Sequence, residues 1–298
     1  MTNQWQQQKE RGSGFLIRFM RWSALHLGRA PTRLILPPIV LYFLLAAVKA
    51  RQASSHYLCR ILKHPPRPWH TARHFYYFAA TILDRVFLVI GNKQMFDTHI
   101  HNPEVLLDRV DQGQGCILMG AHLGSFEVLR SLGITHKHLP IKVLMYKRPG
   151  EMIMKLLDSL NPQIADSVIP LGTPNTLLVA SEFVEKGGVL GILGDRVDNA
   201  DKTVQCDFLG TPAQFPTGPM ALAATLKVPV ILIFGLYRGG KRYDLHFELF
   251  TEQVTLSRAN REQDIQQWMQ KYADRLAYYA DKAPYNWFNF YDYWQEYS

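Results

Sequence analysis

The sequence predicts an α/β fold: a single domain with a mixed central sheet flanked by helices, preceded by a helical segment that associates with membranes. From residue 104 onwards, short apolar runs alternate with helical patterns, which is the arrangement typical of α/β domains. The N-terminal part is instead rich in apolar, aromatic and basic residues, as membrane-surface helices are. We therefore divide the chain into a polar leader (1–14), a helical membrane-associating region (15–95) and an α/β core with an aromatic C-terminal tail (96–298).

Composition restricts the class of protein. The chain has 298 residues, of which 47% are hydrophobic, enough to bury a sizeable core. Its net charge of +8 favours an anionic partner, such as a phospholipid surface or an acidic carrier protein. Nucleic acid is disfavoured as a partner, because the sequence has no helix-turn-helix, zinc-finger or RNP-like pattern. The three cysteines are far apart and form no disulfide framework, so we expect a reducing, cytosolic setting.

The N-terminal region predicts contact with a membrane. Residues 16–27 combine arginines with aliphatic and aromatic residues, which suits a helix lying in the interface. The uncharged stretch 34–48 has only 15 residues, fewer than the roughly 20 that cross a bilayer. We expect a re-entrant or shallowly inserted helix, with a single span and a buried soluble helix as alternatives. Its basic flanks favour the cytoplasmic face.

Two further helices are expected before the core. A proline-rich turn at 65–68 separates them, and the second, 69–90, is rich in aromatic residues. Such a helix is more often packed core, although it could also line a channel for an acyl chain.

The core elements follow in alternation. The predicted strands are 116–120, 142–146, 168–169, 189–193, 204–208 (an edge strand or an extended loop), 228–236 and 244–250. The predicted helices are 102–110, 152–160, 176–185, 217–226 and 263–281. The aromatic tail 286–294 is expected either to contact the membrane or to seal the core.

The segment after the first buried strand carries the candidate chemistry. His122 lies at the C-terminal end of strand 116–120, where open α/β sheets place their sites. Ser125 is a natural N-cap, and Glu127 falls in the first turn of the helix that follows. A turn at Gly124 can fold the Glu127 carboxylate back towards the imidazole. We therefore predict that His122 is a general base held in one tautomer by Glu127; a purely structural histidine is the alternative.

A second copy of the same spacing runs from His99 to Glu104. It contains a proline and follows no apolar strand, so we interpret it as a surface loop. The His-x-His pairs at 99–101 and 136–138 lack convergent partners, and we predict no metal site.

The motifs also resemble those of a known family. Residues 121–127, AHLGSFE, resemble the NH(x4)D/E block of bacterial lipid A late acyltransferases, within the lysophospholipid acyltransferase superfamily. Further similar blocks follow in the family's order: "vYRP" at 143–149, "l.DQ" at 192–196, "FFG..A" at 208–213 and "lA..t.apvip.f..R" at 221–238. The resemblance covers roughly residues 20–295. Ala121 stands where the family usually has Asn, and Arg196 where it usually has Gln.

The resemblance implies transfer of a fatty acyl group from an acyl carrier protein or coenzyme A thioester to a hydroxyl of a membrane lipid. The acceptor would be a lipid A precursor, another glycolipid or an aryl polyene conjugate. The thioester is a co-substrate, and no further cofactor is expected. The protein would act at the cytoplasmic face of the inner membrane, as a peripheral or monotopic protein or with one short N-terminal insertion.

The residues suggest how the transfer would proceed. His122 would deprotonate the acceptor hydroxyl while Glu127 stabilises the imidazolium. Because no GxSxG elbow is present, we expect direct transfer within a ternary complex rather than an acyl-enzyme. A non-catalytic lipid-binding scaffold, or a thioesterase or lipid hydrolase using the same base on water, are the alternatives.

The predicted substrate-binding residues are Gly124, Ser125, Arg148, Asp195, Arg196 and Gly210. Arg148 could hold the thioester oxygen or an acceptor phosphate, next to His122 if their strands are neighbours. Asp195 and Arg196 either reach a phosphate or form a structural ion pair. Gly210 either lets the backbone approach a substrate or is an ordinary turn glycine.

Overall fold

The computed structural model describes residues 28–89, 93–126, 128, 139–146, 167–198 and 201–294. The predictions for the leader, the interfacial helix 16–27 and the helix 152–160 concern residues outside these ranges, and so do those for Glu127 and Arg148. Within the described ranges the α/β prediction is confirmed: a seven-stranded mixed sheet is flanked by helices.

The helices are α1 (Arg29–Arg33), α2 (Leu36–Ala46), α3 (Val48–Leu62), α4 (Pro68–Val89), α5 (Glu104–Asp111), α6 (Thr176–Glu185), α7 (Gly218–Leu226) and α8 (Arg261–Lys282). A short 3-10 turn covers Lys93–Met95. The strands are β1 (Asp97–His101), β2 (Cys116–Gly120), β3 (Ile141–Met145), β4 (Val168–Pro170), β5 (Val189–Leu193), β6 (Thr203–Phe208), β7 (Thr211–Pro216), β8 (Val230–Gly239) and β9 (Arg242–Thr251).

The main sheet has the strand order β1-β9-β8-β2-β5-β3-β4. Strands β8, β2, β5, β3 and β4 are mutually parallel, while β9 returns antiparallel to β8 and pairs in parallel with β1. Every residue of β2 is buried, as expected of a central parallel strand covered on both faces. Continuous apolar sequence at 116–120 therefore predicts this strand with its observed bounds.

Helices cover both faces of the sheet. Ile117 and Met119 of β2 belong to the core formed with α8 and the C-terminal residues, whereas Leu118 belongs to the core formed with α4 and α5. This alternation follows from the two-residue period of a strand. The aromatic helix α4 contributes Phe75 and Phe87 to the buried set, in line with the packed-core interpretation.

One strand was predicted wrongly as a surface loop. Residues 97–101 form β1, which pairs in parallel with β9 from Asp97 opposite Arg242 to His101 opposite His246. The sequence DTHIH is mostly exposed at the sheet edge, so no apolar alternation marks it. Backbone pairing with β9, rather than burial of side chains, places this strand.

The 204–208 segment belongs to a separate two-stranded antiparallel sheet, β6–β7. Leu209 and Gly210 form its two-residue turn with φ of 55° and 78°, as a type I′ hairpin requires. Gly210 thus occupies a left-handed position, and a Cβ added there would meet nothing within 4 Å.

The apolar N-terminal stretch forms two consecutive helices, α1 and α2. Among the described residues, Arg29–Ala46 is the one helical stretch long and apolar enough to cross a membrane by length and composition alone. Arg29 donates from Nε and Nη2 to the two carboxylate oxygens of Asp84 on α4, each at 2.8 Å. Tyr243 of β9 donates to the same fully buried carboxylate at 2.9 Å. This buried ion pair holds α1 against the protein core.

Candidate active site

The turn after β2 is threaded between β8 and the C-terminal residues. The Gly124 N–H donates to the Asn286 carbonyl and the Ser125 N–H to the Gly235 carbonyl, both at 2.8 Å. Gly124 has φ of 75°, and a Cβ there would lie 1.9 Å from the Gly235 oxygen. Only glycine therefore fits this turn. Ser125 is buried directly before Phe126, which is helical.

His122 meets Asp195 at the carboxyl ends of neighbouring strands. Asp195 follows β5, which pairs with β2 in parallel, so both residues lie at the same edge of the sheet. The His122 Nδ1–H donates to Asp195 Oδ1 at 2.8 Å. The His122 backbone N–H also faces both carboxylate oxygens, at 3.1 and 3.0 Å. Asp195 is fully buried, whereas the His122 side chain is 29% exposed.

Three other side chains fix Asp195. Trp287 Nε1 and Asn289 Nδ2 donate to Oδ2 at 3.0 and 3.1 Å, and the Tyr293 hydroxyl donates to the Asp195 backbone carbonyl at 3.0 Å. Burial alone would raise the pKa of Asp195. The positive charge of the imidazolium form of His122, the hydrogen bonds of His122 and the charge of Arg196 outweigh burial and lower the pKa of Asp195 to about 2. Asp195 is therefore an anion that accepts hydrogen bonds at neutral pH.

The electrostatics leave His122 neutral. Burial lowers the pKa of His122, and the nearby Arg196 lowers it further, against the opposing effect of Asp195. Because the ionised Asp195 can only accept, the single ring proton is on Nδ1, and Nε2 carries a lone pair. A partly exposed neutral imidazole in a fixed tautomer can act as a general base.

The other predicted substrate-binding residues lie in different parts of the molecule. Arg196 donates from Nε to Asn289 Oδ1 at 2.6 Å and from Nη2 to the Phe288 carbonyl at 2.8 Å, so its guanidinium lies against the C-terminal residues. Gly210 lies in the β6–β7 turn. Arg148 would follow β3, but β5 separates β3 from β2, so the condition that its strand neighbours that of His122 is not met.

Sequence reasoning missed Trp287, Asn289 and Asn286. All three are at most 1% exposed, so this part of the aromatic tail seals the core. The signal that could have found them is the placing of two asparagines within an aromatic run, because a buried amide requires hydrogen-bond partners.

One cluster within the described part of the chain could approach a metal ion: His101, Asp244 and His246, whose ligand atoms lie within 4.8 Å of one another. The two imidazoles stack in parallel with centroids 4.3 Å apart, so their lone pairs do not converge. Both Asp244 oxygens already accept from guanidinium groups, of Arg238 at 2.8 Å and Arg242 at 3.0 Å. This geometry suits a salt-bridged surface better than a metal centre.

Comparison with known protein families gives a match for this chain. The family model described as bacterial lipid A biosynthesis acyltransferase matches residues 73–296, about three quarters of the chain. The matched region includes the β2 turn with His122, Asp195 after β5, and the C-terminal residues that bind them. A search of curated proteins gives no match.

Proposed function

The chain belongs to the bacterial lipid A biosynthesis acyltransferase family, and from this premise we propose a specific activity. The protein is a membrane-associated O-acyltransferase that moves a fatty acyl group from an acyl thioester to a hydroxyl of a lipid or glycolipid acceptor. The observation that carries this proposal is the partly exposed His122, held in one tautomer by the buried Asp195 at the carboxyl edge of the sheet.

In the proposed reaction His122 Nε2 takes the proton of the acceptor hydroxyl as its oxygen attacks the thioester carbonyl. The new C–O ester bond forms, the C–S bond breaks, and the leaving thiolate takes the proton from the imidazolium. Asp195 stabilises the imidazolium through Nδ1. We thus assign to Asp195 the contact that the sequence assigned to Glu127. Glu127 remains a predicted catalytic residue, whose carboxylate would stabilise the imidazolium once Nε2 has taken the proton.

The family and the charge of the chain support the proposed substrates. The donor is an acyl carrier protein or coenzyme A thioester, and the acceptor is a lipid A-type or other envelope lipid, such as an aryl polyene conjugate. The net charge of +8 favours both an acidic carrier and an anionic membrane surface. Arg148 remains the predicted contact for the thioester oxygen or a phosphate. Arg196 remains a predicted phosphate contact, although its guanidinium donates to Asn289 and to the Phe288 carbonyl.

The ion pair at Asp84 supports a specific mode of membrane binding. The apolar stretch of 18 residues would reach about 27 Å as one helix, close to a bilayer core of roughly 30 Å. However, Arg29 and Arg33 of α1 lie beside Asp84 in the protein. That leaves α2, whose 11 residues span about 16 Å. We propose that α2 inserts into the cytoplasmic leaflet of the inner membrane without crossing it.

The test uses the purified protein with labelled acyl carrier protein and a membrane lipid extract, followed by mass spectrometry of the lipids. We expect an acylated lipid from the wild type, and at least about a hundredfold less from His122→Ala, since a general base contributes that much or more. The exposed His64→Ala is the matched control and should retain activity. Full activity in His122→Ala would overturn the proposal, and free fatty acid formed without acceptor would indicate a thioesterase instead.

A further inference from the structure

The C-terminal residues Asn286, Trp287, Phe288, Asn289 and Tyr293, here termed the C-terminal clamp, lie against the His122–Asp195 pair and the turn after β2. Two of them donate directly to Asp195 Oδ2: the indole N–H of Trp287 at 3.0 Å and the amide of Asn289 at 3.1 Å. The clamp also reaches the backbone of His122, whose carbonyl accepts the Phe288 N–H at 2.8 Å. Both members of the pair are therefore held by one segment.

The clamp is itself fixed by buried contacts. The Asn286 side chain accepts the Tyr237 N–H at 2.7 Å and donates to the Tyr237 carbonyl at 3.1 Å, as a neighbouring strand would. His74 of α4 contacts the Trp287 carbonyl through Nε2 at 2.9 Å and Ser54 through Nδ1 at 2.8 Å. Trp287 is fully buried, so its indole N–H has little freedom to leave Asp195.

These donors change how strongly the carboxylate attracts a proton on His122. Each hydrogen bond that Asp195 accepts spreads its negative charge and stabilises the anion. A more stabilised anion interacts less strongly with an imidazolium. Asp195 must orient the ring without making the imidazole so basic that it is protonated before the substrate arrives.

We propose that Trp287 and Asn289 are positioning residues that set how readily His122 accepts a proton, acting through Asp195. This inference rests on the proposed function of His122 as the base. Neither side chain touches the reacting atoms, because each donates its hydrogen bond to the carboxylate that holds the base.

Other charged or titratable groups face the His122–Asp195 pair, and some of them also affect the pKa of His122. Arg85 of α4 and Arg196 lower the pKa of His122 in addition to burial. Tyr272 of α8, Tyr291 and Tyr293 have their pKa raised, chiefly by burial and also by Asp195, so they stay neutral near pH 7. Exchanging the Trp287 indole for a phenyl ring removes none of these groups, and among them Tyr293 is in ring contact with Trp287, with centroids 4.7 Å apart.

The experiment compares Trp287→Phe with Trp294→Phe in the full-length protein. Trp294 is a matched control, because its buried Nε1 has no hydrogen-bond partner among the described residues. The readouts are the pH dependence of kcat/KM and the titration of the His122 imidazole by NMR in protein carrying ¹⁵N-labelled histidine. We expect Trp287→Phe to move both titrations upward by about half to one pH unit, with KM unchanged and kcat reduced severalfold. Trp294→Phe should leave both in place.

Asn289→Leu removes the second donor to Asp195 and also the acceptor of the Arg196 Nε–H. Both losses should shift the titrations in the same upward direction, which keeps the test valid if Trp287→Phe does not fold. Wild-type titrations in folded Trp287→Phe or Asn289→Leu would overturn the inference, and so would an equal shift in Trp294→Phe. The NMR titration needs no turnover. A protein without transferase activity would therefore contradict the proposed function while still testing the clamp.

Discussion

Asp84 and Asp195 are both fully buried carboxylates, yet they serve different regions of the molecule. Asp84 lies on α4 and binds the guanidinium of Arg29, with Arg33 3.7 Å away and the Tyr243 hydroxyl at 2.9 Å. Asp195 lies after β5 and binds an imidazole. In both regions, hydrogen bonds compensate for the cost of burying the charge.

The difference lies in the partner. A guanidinium stays charged at every physiological pH, so the Asp84 pair is a permanent joint between α1 and the protein core. An imidazole can gain and lose a proton near neutral pH, and His122 is in addition partly open to solvent. One type of buried anion thus makes a structural joint in one region and a candidate base-holding group in the other.

The largest expected effect is that of Asp195→Asn on catalysis. An amide in place of the carboxylate cannot stabilise the imidazolium and can favour the wrong tautomer of His122. We expect kcat to fall about a thousandfold or more, as measured in the labelled transfer assay. Circular dichroism and membrane binding should stay as in the wild type. Activity within tenfold of the wild type would contradict the role of Asp195 and remove the contrast with Asp84.

Asp84→Asn should have the opposite profile. Removing the charge leaves two guanidinium groups beside a buried site, and we expect a loss of about 3–5 kcal/mol in the free energy of unfolding. Urea denaturation in detergent measures this loss. At urea concentrations too low to unfold the variant, kcat should stay within about threefold of the wild type. A drop in kcat as large as that of Asp195→Asn would show that the two regions are not separable.

A third buried group, His74, links the two regions, because it lies on α4 with Asp84 and contacts the Trp287 carbonyl. Burial lowers the pKa of His74 to about 4, below the 6.5 of an unfolded chain. The unfolded chain therefore binds a proton first as the pH falls. This stabilisation is complete above about pH 6.5 and is lost towards pH 4, by up to about 3 kcal/mol.

His74→Gln should weaken that pH dependence, although the variant is less stable at pH 7. The measurement is urea denaturation of the wild type and the variant at about pH 7 and pH 4.5. His64→Gln, at an exposed position, serves as the control. If the wild type and His74→Gln lose the same free energy of unfolding between pH 7 and pH 4.5, the buried neutral His74 does not cause the pH dependence of stability.

The smallest expected effect concerns the exposed apolar surface of α2, the helix that follows α1. Leu41 and Leu45 of α2 are 58% and 69% exposed, and we expect Leu41→Glu with Leu45→Glu to weaken vesicle binding about tenfold or more. Leu177→Glu with Leu178→Glu, on the exposed face of α6, is the matched control. Equal binding by the two double variants would contradict insertion of α2. Deleting residues 1–50 is a less clean test, because it also removes the partners of Asp84.

The same elements show what could be predicted from sequence. Strands β2 and β5 were found with their observed bounds because central parallel strands are apolar throughout. Strand β1 was missed because polar residues at an edge carry no such pattern. Strand β7 has prolines at its second and last positions, which argue against a strand in the sequence.

The candidate site was predictable in part. His122 and Asp195 were each found at the end of an apolar strand, but their contact depends on strand order, which places β5 rather than β3 next to β2. Local spacing instead favoured Glu127 as the partner. Trp287 is 92 residues from Asp195 along the chain, so no local pattern predicts its hydrogen bond.

The joint at Asp84 has a geometric consequence for substrate choice. Arg29 and Arg33 also donate to the Gly240 carbonyl at the β8–β9 turn, so α1 is fastened to the same sheet that carries His122. With α2 seated in one leaflet as proposed, the height of the imidazole above the lipid surface is constant. We therefore expect the reacting lipids to be those whose hydroxyl projects from the headgroup layer by that height.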